Sequence, residues 1–505
     1  MYRVSGFKFQ VSSLGSSVKL LMIMFVLLFV SVPYFSFAQI EFQRTYGGVL
    51  INEGRGVQQT LDGGYIIAGS TSSFGDGSTD VLLIKTDSLG NAQFMKTYGG
   101  SNIDRGYAVL QLKDSGYAVA GYTNSFGNGG YDGYLIRTDK NGDVLWTKTY
   151  GGADWDFIYS IKQTPDSGFV MAGNTYSYGY GGSEGWIVKV DSNGVLLWQQ
   201  TFLTNDDDFL NSVDIGFHNT YIVTGYEMNG VTDSSNIIAA SVSSAGDSLW
   251  YYSYEDILNI QARVVHSISD STYLIGGCIF VDSVQTNAFL MKIDTIGHQV
   301  WFNNSVVNKT GFNDLFDFVE LPNNNLVLAA TNSQFGAGGI DIYQDFTDRN
   351  GNWISAPTHG GAGTDIGYSI GRTSDNGFII AGETNSWPPG LEAVYLVKTD
   401  SGGITTPNDS IIIGINLYKD NKVHIVLFPN PAHSEVTIDL NQTYFPISNS
   451  KMNFQLFNSL GEMVVESLFN ENKHNISLEN ISSGLYFYCL SANGIIYSKG
   501  KLVIE

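Results

Sequence analysis

Thr45-Tyr46-Gly47-Gly48 returns as Thr97-Tyr98-Gly99-Gly100 and again as Thr149-Tyr150-Gly151-Gly152, each time 52 residues later. Glycines at 90, 142, 194, 246, 297, 351 and 403 continue the series at steps of 51 to 54, which makes seven units. An aromatic stands four residues after most of them: Phe94, Trp146, Trp198, Trp250 and Trp301, with Phe42 one step earlier. After Gly351 the matching place is Ser355, and Trp353 is expected to take over its packing. A fixed period of this size means one supersecondary unit copied many times, each copy burying its neighbour's apolar face.

Within a unit the pattern is all strand. Residues 107–112, 117–123, 133–138 and 143–150 alternate or run apolar between turn signals, and Asn141-Gly142 suits a tight hairpin turn. No 3.6-residue apolar period competes. Fifty-eight glycines, 29 tyrosines and 30 phenylalanines against 10 prolines fit tight turns in a β-protein rather than disorder. Four antiparallel strands in about 50 residues is the size of a propeller blade. The array opens with a lone fourth-type strand, 41–46, and its last unit stops at 400–403 after a third strand. A ring resolves both ends at once and removes two sheet edges. The expectation is an all-β chain with a seven-bladed β-propeller over 39–403, closed by the N-terminal strand. The Gly-x-x-x-Trp turns resemble those of quinoprotein-type propellers. The array as a whole is similar to repeat proteins of exported Bacteroidetes-type chains. Both likenesses imply architecture and not activity.

The two ends carry address signals. Lys8 and Lys19 precede an apolar run, 20–32, too short for a comfortable membrane span. Ser36-Phe37-Ala38 places small residues where a signal peptidase reads, so 1–38 is read as a signal peptide with Gln39 as the mature start. Residues 404–424 break the repeat with a linker-like composition. Beyond them come Phe428-Pro429-Asn430-Pro431-Ala432, alternating strands, a Leu460-Gly461 pair, Ser483-Gly484-Leu485-Tyr486 and the terminal Lys501-Leu502-Val503-Ile504. This predicts a small β-sandwich over 425–505. The order and spacing are similar to the type A sorting domain of the type IX secretion system. The matching positions are Pro429, Asn430, Pro431, Gly461, Gly484, Tyr486 and Lys501. The resemblance implies inner-membrane export by the signal peptide, outer-membrane passage by the type IX machinery, and then surface attachment or release.

A net charge of −22 argues against nucleic acid and anionic membrane as partners. Only Cys278 and Cys489 are present, which excludes a disulfide framework and any cysteine metal site. The seven histidines are scattered without ligand spacing. Gly367-Tyr368-Ser369-Ile370-Gly371 fits a nucleophile-elbow pattern but lies on a first strand, with no helix to follow.

Two repeated features fall on the loop-rich face. Asn52, Asp104, Asp156, Asp208 and Asp365 recur at one place, with Asp314 serving in the sixth unit and Asp154, Asp206 and Asp207 nearby. They read either as a carboxylate ring for a cation or polyhydroxylated ligand, or as turn caps. Phe74, Phe126, Tyr178, Phe335 and Trp387 each follow a Thr-x-Ser-like stretch, and read either as sugar-stacking faces or as loop packing. No cofactor motif is present, and calcium is compatible with the carboxylates without being demanded by them. The leading functional expectation is a non-enzymatic binding scaffold for an extracellular glycan or protein. The rival is a secreted polysaccharide hydrolase or lyase that uses Asp154, Asp156, Asp206 and Asp208.

Overall fold

A computed structural model describes residues 2–4, 7–9, 39–179, 182–202, 204, 206–230, 232, 234–254, 259–282, 285–307, 311–387, 390–406, 412–413, 426–429, 431–439, 452–458, 463–471, 473–479, 481–492 and 495–504. Lys19, the apolar run 20–32 and Ser36 to Ala38 lie outside the described residues, as do Asn430 and Gly461. The chain divides into two units, Met1–Ile40 and Glu41–Glu505. In the first, Tyr2–Val4 pairs antiparallel with Phe7–Phe9.

In the second unit every described regular element is a strand, and each repeat folds into its own antiparallel sheet. Numbered in chain order, sheet one holds Asn52–Gln59, Tyr65–Thr71, Asp80–Thr86 and Ala92–Tyr98. Sheet two holds Asp104–Gln111, Tyr117–Thr123, Asp132–Thr138 and Val144–Tyr150. Sheets three, four, five and six open at Asp156, Asp207, Asn259 and Asn313 in the same order. The burial pattern explains the sequence pattern. Second and third strands are buried along their length and read as continuous apolar runs. In sheets one to four the fourth strands form an outer edge and are half exposed, as in Val144–Tyr150. This is how sheets covered on both faces differ from their own rims.

Sheet seven pairs Asp365–Arg372, Phe378–Thr384 and Ala393–Thr399, and its fourth strand is Phe42–Tyr46. Phe42 faces Lys398 and Tyr46 faces Val394 across that pairing. The expected linker is not all linker, because Ile412–Ile413 adds a fifth, parallel strand beside Thr45 and Tyr46.

Neighbouring sheets are fastened by repeated contacts. The tyrosine of each Tyr-Gly-Gly motif donates its hydroxyl proton to the turn-glycine carbonyl of the next sheet. Tyr46 reaches Gly90 at 2.6 Å, Tyr98 reaches Gly142 at 2.7 Å and Tyr150 reaches Gly194 at 2.8 Å. At Gly142 φ is 77°, and an added Cβ would meet the Phe94 ring at 2.9 Å, so the turn needs glycine for two reasons. Trp353 departs from expectation. It is 62% exposed, and the place of the missing aromatic is filled by Phe346 and Pro357 against Gly403.

The C-terminal segment builds two sheets around one core. Val426–Phe428, Glu435–Asp439 and Lys473–Ser477 form the first. Met463–Phe469, Met452–Phe457, Gly484–Ala492 and Ile495–Ile504 form the second. Val436 and Ile438 from one, and Phe454, Leu456, Leu490 and Leu502 from the other, share that core.

Candidate functional site

Asp104 opens the first strand of sheet two opposite Thr123 and is fully buried. Thr123 donates its hydroxyl to one carboxylate oxygen, while the Ser125 hydroxyl (2.7 Å) and the Gly100 N–H (2.8 Å) donate to the other. Asp156 repeats this with Thr175, Ser177 and Gly152. Asp365 accepts from Ser386 at 2.6 Å and from the Gly361 N–H at 2.8 Å. Asp208 accepts from Thr204 at 2.9 Å, and Asn52 accepts from Thr71 at 2.7 Å. The repeated acid and the repeated Thr-x-Ser are therefore one hydrogen-bonded unit that ties a first strand to the loop after the second. In the sixth sheet the place belongs to Asn313, which faces Asn332, and not to Asp314. Asp314 instead pairs with Arg263 at 3.2 Å.

A second acid approaches from the adjacent sheet. A Cβ on Gly99 would stand 2.3 Å from Asp80 Oδ1 and 2.6 Å from Asp104 Oδ2. Asp132 approaches Asp156 at Gly151, and Asp341 approaches Asp365 at Gly360, in the same way. Burial, with the neighbouring acid adding to it, raises Asp132 and Asp341 to about 6.

The loop aromatics lean on the third strand of their own sheet. Phe126 lies 5.9 Å from Tyr134, Tyr178 6.3 Å from Trp186 and Trp387 5.2 Å from Tyr395. Phe74 covers Gly48. Phe126 keeps 46% of its surface exposed, while Phe74, Tyr178 and Trp387 are half-buried.

The residues that distinguish one part of this face from the rest were not singled out by sequence. Every first strand carries a β-bulge at one place, which leaves Arg55, Tyr107, Tyr159, Asn211, Arg263, Phe316 and Tyr368 unpaired. They touch from sheet to sheet. Tyr107 meets Tyr159 at 5.0 Å, Phe316 meets Tyr368 at 5.0 Å, and the Arg55 guanidinium lies 3.8 Å above the Tyr368 ring. From Tyr107 and Tyr159 an aromatic surface extends over sheets two and three. Tyr122 packs edge-on to Phe157 at 4.9 Å, Tyr131 to Trp155 at 5.9 Å, and Trp155 to Tyr176 at 6.2 Å. Trp155 is 53% exposed and Tyr176 36%.

Carboxylates from sheets one and seven adjoin this surface through Arg55. Glu53, Glu383 and Glu392 each place an oxygen within 4.8 Å of the others. Arg55 binds Glu53 at 2.8 Å, Arg105 reaches it at 3.4 Å, and the Tyr368 hydroxyl donates to Glu383 at 2.8 Å. Burial holds Glu383 above the usual carboxylate range. The proposed catalytic carboxylates are placed differently. Asp156 and Asp208 are fully buried, Asp206 accepts from Asn229, and Asp154 is exposed.

At the other end of the chain, Tyr486 is buried and donates to the Ser482 carbonyl at 2.7 Å. Ala432, which follows the Pro-Asn-Pro motif, is buried and bridges to Ile504 on the terminal strand. The chain end is thereby part of the sandwich. Residues 426–505 match the family described as a secretion system C-terminal sorting domain. The protein follows the type IX route to the cell surface or extracellular space.

Within the sorting domain Pro429, Pro431, Gly484 and Lys501 are exposed, whereas Tyr486 is core. The chain is also similar to the regulatory protein FlaEY of Caulobacter vibrioides, 26% identical over 179 residues. That stretch covers 30% of this chain and 19% of the relative, so the chain spans about a fifth of the curated protein it matches. Among solved structures it is similar to the extracellular domain of BT4673 from B. thetaiotaomicron, at 10% identity and TM-score 0.39, covering 90% of this chain and 56% of that one. It is also similar to PorZ, a surface component of the type IX system of Porphyromonas gingivalis, at 10% identity and TM-score 0.34, covering 88% and 64%. The propeller-like arrangement of four-stranded sheets rests on this chain's own strand pairing.

A chain ending at Gly403 is expected to remain in the periplasm, with loss of nearly all surface and medium signal. Cell fractionation with an antibody to the repeat region measures this. Release at the full-length level would mean that the sorting domain is dispensable.

Proposed function

We propose that residues 39–403 form a closed seven-bladed propeller that, once exported, binds a glycan on its loop-rich face without transforming it. Closure is supported by the Phe42–Tyr46 pairing, by the Tyr46 bond to Gly90, and by the Ser374 N–H donating to Gln59 at 2.7 Å. The last two contacts join sheet seven to sheet one. The binding reading is carried by the exposed aromatic surface around Trp155. Aromatic faces with polar neighbours stack on the apolar faces of sugar rings, while hydroxyls find side-chain acceptors. Trp155, Tyr176 and Phe157 stand in one part of an otherwise repetitive array, which gives the face a unique place.

Replacement of Trp155 by alanine is expected to weaken glycan affinity about tenfold, or ~1.4 kcal/mol, with the melting temperature unchanged. Isothermal titration against hits from a glycan array measures it. An unaltered affinity would remove this surface from the site.

A second reading, hydrolysis, is favoured by Glu53, Glu383 and Glu392. Carboxyl groups of a retaining glycosidase stand about 5–5.5 Å apart, and one must stay protonated. Reducing-end release that Glu383→Gln abolishes would support this reading over simple binding.

A further inference from the structure

We propose that the buried carboxylate pairs between adjacent sheets are divalent-cation sites, with calcium as the matching ion. Register places Asp80, Asp132, Glu184 and Asp341 at the start of third strands, opposite Thr71, Thr123, Thr175 and Asn332. Across the seam Asp80, Asp132 and Asp341 meet Asp104, Asp156 and Asp365 beside Gly99, Gly151 and Gly360, and Glu184 is close enough to Asp208, the second residue of its strand, to act on its charge. The other three seams carry Asn236 with Ile260, Asn287 with Asn313, and Ala393 with Asn52 at these places. Both partners are acidic in four seams and both are neutral in three, so charge is gained and lost by the pair.

Hydrogen bonding to strand and loop does not require that charge, since Asn52 accepts from Thr71 where Asp104 accepts from Thr123. Two carboxylates facing each other away from water need a positive partner. Among the described residues no Lys, Arg or His lies within ion-pair distance of Asp104, Asp132, Asp156, Asp208, Asp341 or Asp365. If only a hydrogen bond across the seam were needed, an Asn amide donating to an Asp carboxylate would serve as well as two carboxyls sharing a proton, and no seam is mixed. A divalent ion needs both charges.

A separate observation points to the same gap. Asp341 is 1% exposed, and its Oδ1 has no hydrogen-bond partner. That atom is the one turned toward Asp365, 1.8 Å from the place a Gly360 Cβ would occupy, where Asp365 Oδ2 lies at 2.7 Å. Gly99 and Gly151 keep the corresponding space open beside Asp80 with Asp104 and Asp132 with Asp156. The donors are oxygen alone, with no imidazole or thiolate, which selects a hard cation. Calcium tolerates irregular oxygen sets better than magnesium does.

Calcium alone is the probe. Full-length secreted protein stripped with EDTA and titrated calorimetrically near neutral pH is expected to bind four ions and to melt at higher temperature as calcium rises. The Asp341→Asn/Asp365→Asn double variant copies the neutral seam between sheets five and six, so it is expected to fold and to bind three. Absence of heat and of thermal shift at millimolar calcium would overturn the proposal, as would an unchanged stoichiometry in the double variant. Stabilisation by mild acid but not by calcium would assign the pairs to a shared proton and overturn it equally.

Discussion

A chain that begins at Gly48 is expected to lose cooperative unfolding. Residues Phe42 to Tyr46 supply the whole fourth strand of sheet seven, and all five are buried. Phe42 is 2% exposed and packs edge-on to Tyr65 at 5.8 Å, and Tyr46 is fully buried. Truncating a buried large aromatic costs about 3–5 kcal/mol. Losing two of them with their strand approaches or exceeds the whole net stability of a typical domain, roughly 5–15 kcal/mol. The deletion would also uncover the edge of Ala393–Thr399 and leave Ile412–Ile413 with nothing to pair on. An open apolar strand edge favours association. Urea unfolding followed by tryptophan fluorescence, comparing chains that start at Gln39 and at Gly48, measures the effect. Phe42→Ala is the milder form and should cost about 3–4 kcal/mol. A native midpoint in the deletion variant would mean that the strand is an ornament and the ring is not closed by it.

Removing His266 should be nearly as damaging, and the damage should depend on pH. His266 lies 2.9 Å from Asp317 through Nε2 and 3.7 Å from Asp214 through Nδ1, and Lys162 stands 3.2 Å from Asp214. Asp317 also accepts the Ile370 N–H at 3.0 Å and the Ser369 hydroxyl at 3.2 Å, and Asp214 accepts the Ser267 N–H at 2.8 Å. The charges come from sheets three to six and cross three seams, and the Ser369 and Ile370 donors carry the network across a fourth into sheet seven. Burial pulls the imidazole down, but hydrogen bonds to Asp214 and Asp317 prevail and raise it to about 9. A histidine raised in the folded state adds stability that is complete below its unfolded value, about 6.5, and is lost as pH climbs through about 9. Deprotonation across that window should cost about 3 kcal/mol. The wild-type melting temperature should therefore fall between about pH 7 and 10, and His266→Ala should flatten that fall. His266→Ala leaves Asp317 without its cationic partner and should cost about 3 kcal/mol at neutral pH. Equal melting curves for variant and wild type across this range would show that the network contributes nothing.

Much of the architecture is legible in the amino-acid string because the same turn glycines recur at a nearly constant step. Gly142 and its counterparts share a positive φ, and at Gly90, Gly142, Gly194, Gly246 and Gly297 they also lie against the preceding sheet's aromatic, so they mark the turn after the third strand of each unit. The lone strand at 42–46 was legible as an unmatched fourth strand, and its pairing with Ala393–Thr399 follows from simple edge accounting. Side-chain partnership was not legible at the same level. Asp104 and Thr123 lie 19 residues apart and become partners only once register is set. The sixth unit lacks the Tyr-Gly-Gly motif from which the place is counted, which is why Asp314 was expected where Asn313 stands.

The same bulges hid the belt from Arg55 to Tyr368, because a doubled residue breaks the two-residue alternation by which strands are recognised. The 52-residue step from Tyr107 to Tyr159, and from Phe316 to Tyr368, was the signal that could have found it. Trp155 and Tyr176 were invisible for the opposite reason. A search tuned to repetition discards what occurs once, and a unique surface on a repeated scaffold is made of such residues.

The short parallel pairing of Ile412–Ile413 against Thr45 and Tyr46 has a mechanical side. Any pull on the tail during passage through the outer membrane meets this two-residue clasp before it reaches the rest of the array. The clasp lies on the strand that completes sheet seven, so tension from the tail arrives at that strand. Hydrogen bonds along parallel strands resist when loaded lengthwise and open one by one when peeled. The angle at which the tail leaves Ile413 therefore decides whether hauling the protein outward tightens its own fastening or undoes it.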